Sequence, residues 1–399
     1  MKIQTALPLL ASLCLQCAIA NATGVGPVSY TVATVPMISG VSAMIGTAIN
    51  AHGDVAGYAY LSRGGSQAYA FINGAVELIP TLGGLRNSAS GINDAGQVVG
   101  WSETSNAAEY RPFLYTQSGE PINLGTLGGR QSMATAINNG GVISGYSTVR
   151  LPYNDEYGSF TTTATTPPVR LNISPLVGSD SFAYAINNAG VVAGTLYAPD
   201  RSRSSAFIQT GANTQVLQTL GGNYASAVSI NELGQVVGSS AIANGDGRAF
   251  LFNGTSVENL GTISGQANLG HGLGTPSYSG ATGINSSSTI VGTFGYSGYQ
   301  GRGFVYMNGS MLDLNNLLSP GESSIWEITD AMAINNDGVI VAYGYKPGQL
   351  IGTTLLLTPS AVPENSSALL LIIGLLGVIL QRTRAFREQF DERTVAGET

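Results

Sequence analysis

This sequence predicts an all-β fold, a seven-bladed β-propeller, and three observations carry that reading. The motif Ile-Asn-x-x-Gly-x-Val-x-Gly recurs seven times, with intervals of 43, 45, 49, 44, 54 and 50 residues between its asparagines. Each interval holds four strand-length segments divided by turn residues. The two ends of the repeat region carry complementary parts of one unit. A recurring module of this size must stack on its neighbours to bury its apolar face. Four strands per unit, seven times over, match a propeller with seven blades.

The copies span residues 48–57, 91–100, 136–145, 185–194, 229–238, 283–292 and 333–342, and every one keeps its Ile-Asn pair, at Asn50, Asn93, Asn138, Asn187, Asn231, Asn285 and Asn335. Ile belongs on the buried face of a strand. Asn turns the chain, because its side chain bonds nearby backbone and tolerates positive φ, and Gly supplies a left-handed position without a Cβ penalty. The Val-x-Gly that follows is the return strand. A residue found seven times at a turn is read as a turn residue. No copy has the ligand spacing of a calcium loop.

In the second unit, residues 76–82 form an apolar run ending at Gly83-Gly84, residues 88–92 lead into the turn, and residues 97–102 return. Arg111-Pro112-Phe113-Leu114-Tyr115 is the next β-type run. This aromatic segment recurs as Ala70-Phe71-Ile72, Ala206-Phe207-Ile208, Ala249-Phe250-Leu251 and Gly303-Phe304-Val305. Leu-Gly-Thr-Leu-Gly-Gly at 124–129 has counterparts at 78–84, 217–222 and 260–265. Residues 30–34 lack a preceding aromatic strand, and residues 352–358 end on one, so both ends are expected to complete the last blade. A β-solenoid is the rival fold, and it requires no complementary ends.

The chain has 54 glycines, 10% charged residues and a formal net charge of −7. That is the profile of a turn-dense all-β domain. No basic stripe exists, so no nucleic-acid partner is expected. Residues 1–22 read as a secretory signal peptide. Lys2 precedes an apolar run at 6–18, and the small residues around Ala20 and Ala22 offer cleavage sites. Both cysteines, Cys14 and Cys17, lie inside it, so the mature chain, with residues 23–360 as its repeat domain, has no thiol.

Residues 361–399 have a different character. Val362-Pro363-Glu364-Asn365 leads into an apolar segment at 368–380, expected to be helical, and Arg382, Arg384 and Arg387 follow. Thirteen residues are short for a permanent membrane span, and the arginines would hold the end at the inner face of a membrane. The order of these features resembles the PEP-CTERM sorting signal of secreted bacterial proteins. Asn365 stands where that signal usually has its second proline, and residues 385–399 extend past its usual end. The resemblance implies membrane attachment before processing, an exosortase-type processing enzyme as partner, and an envelope or extracellular destination linked to exopolysaccharide. The repeats resemble the HAF repeat of bacterial extracellular proteins across nearly all of residues 30–358. That family implies a secreted repeat protein and no particular activity.

Candidates for catalysis are few. The two histidines are His52, at a turn tip, and His271, in the insertion of the longest interval. No metal site or cofactor is expected, and no G-x-S-x-G elbow occurs. Asp155-Glu156 is the best carboxylate cluster, and a solvated loop is the plainer account of it. Trp101 follows a Val-Val-Gly strand where other copies have Tyr146, Thr195 and Ser239. It is read as packing between blades, with sugar stacking as the alternative. The expectation is a structural or adhesive envelope protein without enzymatic activity. The alternative is a polysaccharide lyase or hydrolase built on a propeller rim.

Overall fold

The computed structural model describes residues 28–106, 108–149, 156–173, 180–263, 278–295, 300–349 and 351–360. They form seven four-stranded antiparallel sheets. The predicted propeller is observed, and the solenoid is not. The signal peptide, with Ala20 and Ala22, and the tail, with Val362, Pro363, Glu364, Arg382, Arg384 and the apolar segment 368–380, lie outside the described residues. Among the described residues no helix is long and apolar enough to cross a membrane.

Blades 1 to 6 occupy residues 41–78, 83–123, 132–170, 181–216, 221–259 and 278–313. In each, consecutive strands lie side by side, from the inner strand outward. Blade 7 joins the two ends of the chain. Its inner three strands are Glu327–Ile334, Ile340–Tyr345 and Thr353–Ser360, and Ser29–Thr34 adds the outermost. The Ser29 and Ser360 hydroxyls meet at 2.7 Å. The Ser319 amide donates to the Tyr30 carbonyl at 3.0 Å, and the Tyr30 ring is buried. The ring therefore closes by pairing the N-terminal strand with the C-terminal one, as the complementary ends predict.

Every inner strand bulges at the third residue before its turn asparagine, skipping Thr47 in blade 1 and Tyr184 in blade 4. A bulge pushes the inner backbone toward the second strand. The Gly of Val-x-Gly lies just there. A Cβ on Gly100 would stand 2.0 Å from the Ser88 carbonyl oxygen, and one on Gly238 would stand 1.9 Å from that of Ser226. The repeat's second glycine is thus imposed by backbone contact. Its partner on the third strand is a fully buried ring: Phe113 opposite Gly100, Phe160 opposite Gly145, Phe207 opposite Gly194. Blade 1 corrects one expectation. The third strand is Ser66–Ile72, but its register sets Tyr69, not Phe71, against Gly57. Tyr69 is the buried member of the aromatic series, and Phe71 is half-buried.

The Thr-Leu-Gly-Gly segment is a hook over its own blade. In blade 2, Thr81 Oγ1 donates to the Gly84 carbonyl at 2.8 Å, and the Leu82 amide donates to Ser102 Oγ at 2.9 Å. Thr219, Leu220, Gly222 and Ser240 repeat it in blade 5. These glycines serve strand ends, as the sequence suggests.

Candidate functional site

The seven turn asparagines are buried and meet in a closed ring. Each Nδ2 donates to the main-chain carbonyl of the next copy's asparagine. The distances are 3.1 Å for Asn50 to Asn93, 3.1 Å for Asn93 to Asn138, and 3.0 Å for Asn138 to Asn187. The ring continues at 3.1 Å from Asn187 to Asn231, 3.0 Å from Asn231 to Asn285, and 3.1 Å from Asn285 to Asn335. Asn335 closes it onto Asn50 at 3.2 Å. Each Oδ1 also accepts the amide four residues on, as from Val142 to Asn138 at 2.9 Å. One amide side chain thus shapes its own turn and fastens the next blade.

Gly at the fourth motif position after Asn-x-x takes φ of +71° at Gly96 and +75° at Gly234, and Ser288 takes +60° in the sixth copy. The ring and the seven isoleucines before it line an axial cavity of about 230 Å³. Around its mouth a second, exposed ring links neighbouring blades, with the Ala51 amide on Asp94, the Asp94 amide on Asn139 and the Asn139 amide on Asn188. The carbonyls of the inner ring already accept two donors each, as Asn138 does from Asn93 and Gly141. This end of the molecule is built for closure.

A different set of side chains occupies the seams between blades. Eight residues after the turn asparagines stand Tyr58, Trp101, Tyr146, Thr195, Ser239, Thr293 and Tyr343. Four of them, Tyr146, Thr195, Ser239 and Thr293, meet the next blade five residues before its asparagine. Thr195 Oγ1 lies 2.7 Å from Ser226 Oγ, and Thr293 Oγ1 donates to Asp330 Oδ1 at 3.1 Å. Trp101 is half-buried and edge-on to Tyr110 of its own blade, 5.2 Å between centroids, so the contact shown is within a blade and not the expected one between blades.

The seam between blades 3 and 4 differs from these small contacts. Tyr146 meets Phe182 at 4.8 Å and 68°. Tyr157 lies 5.0 Å from Phe182, and Tyr197 stands edge-on to it at 5.6 Å. Tyr184, at the bulge, runs nearly parallel to Phe182, with planes 10° apart and centroids 6.4 Å apart. All five rings are half-buried. Burial, then neighbouring Tyr146 and Tyr197, pushes the Tyr184 hydroxyl up to about 12, and burial also raises that of Tyr146. Tyr157 donates to Gln131 Oε1 at 2.6 Å, and its amide donates to Asp180 Oδ1 at 2.7 Å. Ion pairs flank the cluster, Arg170 with Glu156 and Arg201 with Asp180.

The other sequence candidates are not assembled. His52 is exposed at its turn, its amide on Asn50 Oδ1. Glu156 is held by Arg170. Asp155 and His271 lie outside the described residues. Among the described residues, no three His, Cys, Asp or Glu side chains gather where they could hold a metal. The aromatic seam is absent from the sequence reading, although Phe182-Ala183-Tyr184 carried a signal. At those two positions the other copies have Ile45 and Thr47, Ser88 and Ser90, Met133 and Thr135, Ser226 and Val228, Gly280 and Thr282, and Asp330 and Met332, none of them aromatic.

No family profile matches the chain, and no curated protein matches it. Solved structures do. The β-propeller domain of the trilobed protease from Pyrococcus furiosus, described as having an open velcro topology, aligns with a TM-score of 0.51 at 8% identity, over 82% of this chain and 96% of that one. Streptogramin B lyase aligns with a TM-score of 0.46 at 13% identity, over 83% and 98%. The Aleuria aurantia lectin in complex with Fucα1-6GlcNAc aligns with a TM-score of 0.41 at 12% identity, over 68% and 94%. At such identities the likeness is one of fold: this chain is a β-propeller.

Proposed function

We propose that this protein is an exported, envelope- or matrix-associated propeller of structural or adhesive type that binds polysaccharide and does not transform it. The observation that carries the reading is the gathering of five half-buried aromatic rings in one seam, beside ion pairs that neutralise themselves. Binding sites of this kind combine apolar and aromatic walls with a few polar groups that set orientation. The address rests on the signal-like residues 1–22 and on the PEP-CTERM-like order of Val362-Pro363-Glu364, the apolar run and Arg382 and Arg384. An exosortase-type enzyme would process that tail, and the membrane would hold the chain until it did.

Two measurements test the two halves. Intact mass of the protein from its host's envelope and medium is expected to show a chain starting near Thr23 and ending near Glu364. A chain retaining Arg382 to Thr399 would overturn the sorting reading. Electrophoresis through gels containing the host's own exopolysaccharide is expected to retard the protein relative to bovine albumin. Equal mobility would overturn the binding reading.

A further inference from the structure

We infer that the seam between blades 3 and 4 is a stacking site for a pyranose ring of a neutral polysaccharide, with Phe182 and Tyr184 as platform and Tyr146, Tyr157 and Tyr197 as walls. The inference rests on the polysaccharide-binding reading and assigns it a place and a ligand class.

Packing alone does not call for these rings. At the same register the next seam has only Thr195 against Ser226, above a core of mostly small and aliphatic side chains, and the following one sets Ser239 beside Gly280, where a Cβ would lie 3.7 Å from the serine's. Five rings in one seam supply far more surface than closure uses, and each ring keeps part of it open to solvent. Orientation separates platform from walls. Phe182 and Tyr184 lie within 10° of parallel, whereas Tyr146 and Tyr197 stand at 68° and 81° to Phe182, and Tyr157 is tilted between these at 32°. Tyr184 stands at the bulge, two residues along the strand from Phe182 and beside it. A parallel pair with edge-on neighbours suits a flat, C–H-bearing ring with hydroxyls at its rim.

Charge selects the class. The arginines beside the cluster, Arg170 and Arg201, are each bound to a carboxylate. Burial favours the neutral form of the Tyr184 and Tyr146 phenols, and the chain carries −7 overall. Among the described residues these flanking cations are already neutralised by their own carboxylates, so an anionic glycan is the poorer fit. A neutral one finds phenol hydroxyls and Gln131.

The test uses the propeller with its N-terminal strand intact and measures affinity by gel retardation in soluble neutral glucan, galactan and mannan, with polygalacturonate as the anionic probe. The first variant combines Phe182→Ser with Tyr184→Ser, which gives blade 4 the residues that blade 2 carries in the same register, Ser88 and Ser90. The second is Tyr184→Thr alone, matching Thr47, Thr135 and Thr282. The control is Tyr343→Thr, on another seam.

The wild type is expected to bind at least one neutral probe with a tyrosine ultraviolet difference band. The double variant should lose about tenfold or more in affinity, the loss of two aromatic contacts. Tyr184→Thr should lose severalfold together with the band, and the control should bind as wild type. Equal binding by wild type and Tyr184→Thr would overturn the site and leave the polysaccharide reading standing. Binding by no probe, including the host's exopolysaccharide, would overturn both. Retardation by polygalacturonate alone would overturn the neutral class.

Discussion

Asn138 shows what one residue does in this fold. Its Oδ1 accepts the Val142 amide at 2.9 Å, and its Nδ2 donates to the Asn187 carbonyl at 3.0 Å. Asn138→Ala removes both bonds in a buried setting. At about 1 kcal/mol net per hydrogen bond it should cost about 2 kcal/mol, read as a lower urea midpoint. Asn188→Ala, which removes only an exposed acceptor for the Asn139 amide, should cost well under 1 kcal/mol. Equal losses would mean that the inner ring is no stronger than the outer. The second glycine of the motif makes a sharper case. Gly100→Ala drives a methyl to within 2.0 Å of the Ser88 carbonyl, so the inner strand must retreat, at roughly 3 kcal/mol. The seventh copy already carries Ala342, and its inner strand has a second bulge between Ile328 and Asp330. Ala342→Gly should cost about 1–2 kcal/mol, through backbone entropy and the loss of one buried methyl. A destabilised Ala342→Gly beside an unaffected Gly100→Ala would reverse the account.

Among the strands, the outermost of blade 7 has the weakest local claim to its place, because its sheet partners lie at the other end of the chain. The Ser29 and Ser360 hydroxyls, 2.7 Å apart, offer a direct measure of it. Replacing both with cysteine should give an intramolecular disulfide in the signal-free chain, which has no other thiol. Closing so long a loop should raise stability by up to about 5 kcal/mol, seen as a reduction-sensitive rise in melting temperature and gel mobility. Failure to oxidise would place Ser29–Thr34 elsewhere. Strand-level legibility was uneven, for a physical reason. Turns and return strands were legible because Ile-Asn-x-x-Gly is local. The blade 1 register was not, since Ala70-Phe71 imitates Ala206-Phe207 while the buried ring opposite Gly57 is Tyr69. The seam pairs were hidden as well. Tyr146 meets Phe182 on the next blade, and no short-range pattern announces a contact between blades.

At the scale of the whole ring, the seven units form one cooperative object, because the asparagine ring and the blade 7 clasp have no free end. Loss of one seam opens all of them, and tyrosines spread around the ring make this testable by pH. Burial is the leading cause raising Tyr30 in the clasp, Tyr58 in blade 1 and Tyr184 in blade 4 from 10.0 to about 12. In the unfolded chain these phenols ionise near 10. Between pH 10 and 12 the unfolded state has lost protons that the folded state still holds, so stability falls as pH rises. Below pH 10 their contribution is fully present. The expected result is a single alkaline unfolding transition, in which the far-ultraviolet β signal collapses over the same interval as the late part of the phenolate absorbance at 295 nm. Two separated structural transitions would mean that the blades open independently. Full ionisation near pH 10 with the β signal intact would mean that the seams do not bury their phenols.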